Sequence, residues 1–394
     1  MRILFLSRWF PYPPNNGAKL RICNLLRGLA QQHEVTLLSF ADQTDVGSPI
    51  PELQSLCQEV QVVPWKPFNP TSPRARLGFF SSTPRSVIDT FSLEMAQRID
   101  QTLSAKDYDL VIASEIDMAV YSPYFRCLPA LFEEVEIGML YERFARATSP
   151  WGRLRTSLTW IKHRRYLASI LKNFQVCTVV SSRELELLSR VVPDYRSIEV
   201  IPNCVDLASY DAIHETLQPN TLIFTGAFSY GPNYEAMVWF LKEVYPSIQA
   251  QVPEVSLTIT GHHAGNLLPP VNNVILTGYV DDVRPLVARS WLSIVPLHTG
   301  GGTRLKILEA MGLRTPVVAT PKGAEGLEVQ AGQHLLIADT PAAFAQAVIC
   351  LLKEPALRQQ LADNAYQLVC EKYDWAVVLP HFLKLVERVA QPNS

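Results

Sequence analysis

The sequence predicts an α/β protein built from two units, each a doubly wound parallel sheet of the Rossmann type. Short β-rich runs alternate with helical patterns along the whole chain, and those runs are apolar throughout. Near-continuous apolar strands belong to parallel sheets covered on both faces. The length of 394 residues, at roughly 150 per domain, favours two large domains over one.

In chain order, strands are predicted at 3–7, 35–39, 60–63, 110–114, 130–132, 176–181 and 198–201, with intervening helices that include 19–31 and 86–103. The boundary falls near Ile201-Pro202-Asn203, and a polar stretch from Asp206 to Asn220 leads into the second block. There, strands are predicted at 221–225, 255–260, 274–276, 292–295, 316–319 and 335–337, with helices that include 233–251, 283–290 and 304–311. Past Pro341 the pattern is all helix, and Lys372-Tyr373-Asp374-Trp375 reads as a break before a last helix. The expected domains are 1–203, joined by the terminal helix 375–394, and 204–374.

Composition narrows the function. Apolar residues make up 48% and charged residues 18%, which excludes a disordered chain. A net charge of −2 gives no general attraction to nucleic acid. It hides an asymmetry, however: residues 1–200 carry +3 and the remainder −5. No apolar run reaches the ~18 residues of a membrane span, and residues 3–6 are too short for the apolar core of a signal peptide, so a cytoplasmic protein is expected. The seven cysteines include no Cys-x-x-Cys pair and read as reduced, buried residues.

Chemistry concentrates at His298-Thr299-Gly300-Gly301-Gly302-Thr303-Arg304-Leu305-Lys306-Ile307-Leu308-Glu309, which follows an apolar strand and opens a helix. Glycines admit a ligand to the backbone, and a helix N-terminus offers unpaired amides with a positive dipole, so the stretch reads as an anion site. Arg304 and Lys306 add charge suited to a diphosphate. Glu309, seven residues after Gly302, lies two turns along the same face of a continuous helix, where a carboxylate can accept both hydroxyls of a ribose. Taken singly, each feature also fits a tight turn or a solvated helix face.

Together with Thr277-Gly278-Tyr279-Val280-Asp281-Asp282, Thr315-Pro316-Val317-Val318-Ala319-Thr320 and Gly323-Ala324-Glu325-Gly326-Leu327, this stretch resembles glycosyltransferase family 4, the retaining GT-B enzymes. Phe10-Pro11-Tyr12-Pro13-Pro14-Asn15-Asn16-Gly17 followed by Arg21, Val200 to Asp206, and Tyr373-Asp374-Trp375 are similar to the same family. The resemblance implies two facing Rossmann-like domains, a nucleoside diphosphate sugar, with UDP or GDP as its nucleotide, in the C-terminal one, and a last helix crossing back to the N-terminal one. No further cofactor and no metal are implied. Glu309 then matches the second Glu of the family's Glu-x7-Glu motif and contacts the ribose. Arg304, Lys306 and the backbone of Gly301, Gly302 and Thr303 attend the diphosphate. The turn at Gly226 approaches the phosphates, Tyr279 lies against the base, and Gly17 belongs to the N-terminal motif.

Three positions depart from the family pattern. The first Glu of the motif is Gly302, no basic residue follows Gly226, and the N-domain histidine has no counterpart. For the last, Glu115 and Glu134 are the acidic candidates. Asp281-Asp282 reads as a helix cap or a metal pair, and His262-His263 as a nucleotide contact or a solvent-facing pair. Residues 143–172 hold eight Lys and Arg and no Asp or Glu, interleaved with Trp and Leu. They fit an anionic membrane surface or a solvated face. Expected partners are therefore the donor, a glycan or lipid-linked acceptor and, through 143–172, the inner face of the plasma membrane. The rival readings are a catalytically silent subunit that binds nucleotide or glycan, and a nucleotide-sugar epimerase.

Overall fold

The computed structural model describes residues 1–42, 51–145, 149–263, 265–302 and 304–391. The chain divides into two compact units, Met1–Pro202 with Leu379–Ser394, and Asn203–Val378.

The first unit contains a seven-stranded parallel sheet. Its strands are β1 (Arg2–Ser7), β2 (Glu34–Ala41), β3 (Glu59–Pro64), β4 (Leu110–Ser114), β5 (Ala130–Glu133), β6 (Val176–Val179) and β7 (Ile198–Val200). Their spatial order is β3-β2-β1-β4-β5-β6-β7. The second unit contains a six-stranded parallel sheet, made of β8 (Gln218–Thr225), β9 (Ser256–Thr260), β10 (Val274–Gly278), β11 (Ser290–Val295), β12 (Val317–Ala319) and β13 (Leu336–Ile337). Its order is β10-β9-β8-β11-β12-β13. The central strands show why the apolar runs do not alternate: Ile3 to Leu6 and Leu222 to Phe224 are wholly buried, because helices cover both faces of each sheet. The strand order reverses between β1 and β4 and again between β8 and β11. Crossovers there leave toward opposite faces, and a crevice opens beyond the carboxyl ends of the strands.

Two predicted helices are interrupted. The stretch 86–103 is two helices, Arg85–Thr90 and Leu93–Ala105, because the Ser92 side chain caps the second by accepting from the Met95 amide. The Ser92 amide in turn donates to the Tyr121 hydroxyl, 2.9 Å away. The stretch 233–251 runs as a helix over Gly231–Trp239, widens into a π-type turn over Phe240–Val244, and resumes at Tyr245–Gln251. Pro246 explains the widening, since it has no amide to donate and its ring crowds the preceding turn.

One buried ion pair ties the first unit together. Arg21, on the helix Gly17–Leu29, donates from Nε to Glu133 Oε1 at 2.6 Å with both side chains fully buried. Its Nη1 reaches the Pro202 carbonyl at 3.1 Å, and the Ser114 hydroxyl donates to the other Glu133 oxygen at 2.7 Å. The first helix, the ends of β4 and β5, and the end of the unit's first segment thus share one charge pair. Removing Glu133 leaves the buried guanidinium the longer carboxylate contact, to Glu134 Oε2 at 3.5 Å. Glu133→Ala is expected to destabilise the first unit by about 3–5 kcal/mol, read as a lower midpoint in denaturant unfolding; an unchanged midpoint would show that the pair contributes nothing.

Candidate functional site

In the second unit, three neighbouring strands each end on a glycine with positive φ. Gly226 follows β8 at 153°, Gly261 follows β9 at 107°, and Gly278 ends β10 at 71°. The Gly226 amide donates to the Thr260 carbonyl at 3.2 Å and the Gly261 amide to the Gly278 carbonyl at 2.8 Å. A methyl group on Gly261 would stand 2.7 Å from the Gly226 carbonyl carbon. Close neighbours at Gly226 and Gly261, and a positive φ at all three positions, account for the row of glycines.

Asn233 and Lys306 together fill the space that a side chain at Gly226 would take, since a methyl there would meet the Asn233 amide nitrogen at 2.6 Å and the Lys306 ammonium at 2.9 Å. The ammonium donates to Asn233 Oδ1 at 2.9 Å and sits 4.2 Å from the centre of the Phe224 ring. Asn233 is itself held by its amide group, which donates to the Ala227 carbonyl at 2.9 Å. Burial, and then the positive charge of Arg304, push the Lys306 amine down to about 7. Glu309, one turn further along the helix Leu305–Gly312, shares the face of Lys306. Burial raises its carboxyl, while Lys306 and Arg284 pull it back. Arg284 is fixed by two bonds to Asp282, at 2.8 and 2.9 Å, and by one to the Ser209 carbonyl at 2.8 Å.

The glycine-rich loop is braced from within. Arg304 donates to the Gly301 carbonyl at 2.7 Å and the Gly300 carbonyl at 2.8 Å, while its Nε is buried with no partner among the described residues. The Gly301 amide donates to the Tyr230 hydroxyl at 3.2 Å. The helix begins at Leu305, so Gly302 lies in the loop and not on the helical face of Glu309, which corrects the two-turn expectation. At Gly302, φ is +77°, and a methyl group added there would meet nothing within 4 Å. A glutamate there would be strained by backbone conformation, not by crowding. Thr303 lies outside the described residues.

The other candidates are spread more widely. The Tyr279 side chain, just past β10, is exposed. His263 accepts from the Gly278 amide at 3.3 Å and packs on Phe228, whereas His262 is exposed, so the two histidines do not form a matched pair. Asp282 accepts from the Arg284 amide at 3.0 Å as well as from its guanidinium. Among the described residues, no group of three or more His, Cys, Asp or Glu is placed to hold a metal ion. Gly17 opens the helix Gly17–Leu29 of the first unit, where Asn16 caps by accepting from the Lys19 amide.

Sequence reasoning missed Gly261, Asn233, Tyr230 and Arg284. A glycine directly after a strand is a signal that could have found Gly261. The other three carry none, because what they do is set by contacts across elements: Tyr230 to Gly301, Asn233 to Lys306 and Arg284 to Ser209.

At the matching reversal in the first unit, a cavity of about 540 Å³ is walled by Trp9, Trp65, Phe68 and Trp160 and lined by Glu115, Asp117, Glu134 and Glu136. Glu115 and Glu134 follow β4 and β5 and both hold positive φ, at 65° and 59°. Burial raises the Glu115 carboxyl well above its usual range, and the charges of Glu134 and Asp117 raise it further. Arg8, stacked 3.8 Å from the centre of the Trp65 ring, opposes them.

The charge state of Lys306 is open to direct measurement. In nitrogen-detected NMR of lysine-labelled protein without ligand, one resonance that is absent from Lys306→Met is expected to titrate near pH 7. A resonance that does not change between about pH 6 and pH 8 would show that the amine is not desolvated.

Residues 219–354 match the profile of a family described as glycosyl transferases group 1. The chain is 22% identical over 405 residues to an uncharacterized 44.6 kDa protein in the cps region of Klebsiella pneumoniae, covering 97% of this chain and 99% of that one. It is 27% identical over 215 residues to a phosphatidyl-myo-inositol mannosyltransferase of Mycobacterium leprae, covering 52% and 54%. Among solved structures, HepE of Anabaena in complex with UDP and glucose superposes with a TM-score of 0.67 at 16% identity, over 98% of this chain and 99% of that one. Sucrose-phosphate synthase of Thermosynechococcus elongatus superposes at 0.68 and 18% identity, over 100% of both. The chain thus has the GT-B glycosyltransferase fold, and residues 219–354 of its second unit carry the match to the glycosyl transferases group 1 family.

Proposed function

We propose that the chain is a retaining glycosyltransferase of family 4, which moves a sugar from a nucleoside diphosphate sugar to a glycan or lipid-linked acceptor without a metal ion. The observation that carries this is the Lys306 ammonium, packed against a bare glycine turn beside a second glycine-rich loop. A half-buried cation at the carboxyl ends of parallel strands, between the Gly226 turn and the glycine-rich loop, suits a diphosphate. The comparisons add context: HepE was solved with UDP and with glucose, the Mycobacterium leprae relative is a mannosyltransferase, and the Klebsiella relative is described by its cps region. Synthesis of a cell-surface polysaccharide or glycoconjugate from the cytoplasmic side fits that company.

When the glycosidic bond to the diphosphate breaks, negative charge grows on the phosphate oxygens. Lys306, the unpartnered Nε of Arg304 and the N-terminus of the helix Leu305–Gly312 are preorganised to receive it. Glu309 is the acceptor for ribose hydroxyls. Lys306 titrates near 7, so a bound diphosphate draws it into its charged form. Above pH 7, binding takes up a proton and affinity falls as pH rises; below pH 7 the amine is already charged and affinity levels off.

Calorimetric titration of UDP, GDP, ADP and CMP tests the donor reading. One diphosphate is expected to bind, weakened by about 1–3 kcal/mol in Glu309→Ala as a charged hydrogen bond predicts, and its decline above pH 7 is expected to vanish in Lys306→Met. If no nucleotide binds, or Glu309→Ala changes nothing, the silent subunit takes precedence, a reading that Gly302 in place of the motif's first Glu favours. Glu115 and Glu134 are the acceptor-side carboxylates of this proposal. Turnover in Glu115→Gln and Glu134→Gln is expected to fall, and full activity in both variants would remove them from the reaction.

A further inference from the structure

The helix Pro150–Ile170 has two apolar faces. At 100° per residue, Trp151, Leu154, Leu158 and Ile161 fall within an arc of about 80°, while Trp160, His163, Arg164 and Leu167 lie on the opposite side. The second set lines the 540 Å³ cavity. The first set is open to solvent, with Trp151 83% exposed and Leu158 55%. Opposed apolar faces cancel, so this helix shows no net amphipathicity despite its apolar stripes.

A second exposed apolar segment stands beside it. Lys162 donates from Nζ to the Phe79 carbonyl at 2.6 Å and the Gly78 carbonyl at 3.3 Å. That contact brings Leu77, Phe79 and Phe80 next to the outer stripe, and Phe80 is 93% exposed and Leu77 71%. Charge favours one occupant. Residues 66–88 contain four Lys and Arg, residues 143–172 contain eight, and neither segment contains an Asp or Glu. Protruding Trp, Phe and Leu on segments rich in Lys and Arg is the chemistry of an anionic lipid surface. Among the described residues, no helix is long and apolar enough to cross a membrane, so the contact is one that lies on the bilayer.

We propose that Leu77, Phe79, Phe80 and the outer stripe Trp151-Leu154-Leu158-Ile161 form one surface that seats the first unit on an anionic bilayer, with the cavity on the other side of the same helix. This deepens the reading of a lipid-linked acceptor and rests on it for purpose, since it adds the 77–80 segment and assigns the two helix faces different work. A docked helix would present the cavity to an acceptor that keeps its anchor in the membrane.

Flotation of the full chain with vesicles tests this. Binding is expected to vesicles of phosphatidylcholine with phosphatidylglycerol, to weaken with salt, and to be much lower on phosphatidylcholine alone. Phe79→Ser/Phe80→Ser and Trp151→Ser/Leu158→Ser are each expected to lower the partition coefficient at least about tenfold, with unchanged thermal unfolding. Leu267→Ser, which removes an equally exposed leucine from the second unit, is expected to have no effect. No flotation, flotation unaffected by both double variants, or equal binding to the two vesicle types would overturn the proposal. So would a dimer in sedimentation that the same double variants dissociate, which would make a second copy of the chain the occupant. UDP and GDP titration of the same samples without vesicles separates the two readings: lost nucleotide binding with intact flotation rejects the donor site and spares the surface.

Discussion

The close approach of Lys306 to Gly226 is the constraint around which the second unit's site is arranged. An ammonium can lie there only because residue 226 has no side chain, and it stays because Asn233 and the Phe224 ring receive it. Both consequences follow from that position. The amine is desolvated, so its charge depends on what binds, and the backbone turn beside it stays accessible. Glu309 and Arg284 then set the electrostatic balance on the far side of the helix turn, with Arg284 tethered so firmly to Asp282 that it acts as fixed charge.

The first unit uses the same topology for different chemistry. Its sheet reverses order between β1 and β4 as the second reverses between β8 and β11, yet the strands end on carboxylates instead of glycines. Glu133 neutralises Arg21 in the interior, Glu134 reaches the same guanidinium at 3.5 Å while also lining the aromatic cavity, and Glu115 lines that cavity too. Two adjacent acidic residues thus share one buried guanidinium, and only Glu134 also reaches the cavity. Burial, and then the charges of Glu134 and Asp117, raise the Glu115 carboxyl.

Helix Pro150–Ile170 shows how a single element can serve two environments. Its inner residues close the cavity and its outer residues stand in solvent. An exposed tryptophan and neighbouring phenylalanines cost solvation free energy and gain no packing in an isolated chain, which is why their arrangement carries information about a surface.

The sequence by itself determined the alternation of strands and helices, the apolar runs of both sheets, and the loop at Gly300 to Glu309, because burial on two faces and phosphate-sized backbone gaps leave marks in local composition. It also showed the basic segment after residue 143, a matter of simple charge. Tertiary structure alone decided the rest. It brought Tyr230 to Gly301 and Asn233 to Lys306, each some seventy residues away, set Gly261 against Gly226, buried Arg21 on Glu133, and placed Phe79 beside Lys162. It also moved the helix start to Leu305 and so took Gly302 off the face of Glu309. These are contacts between elements distant in the chain, and a pattern read along one strand or one helix holds no term for the distance between two of them.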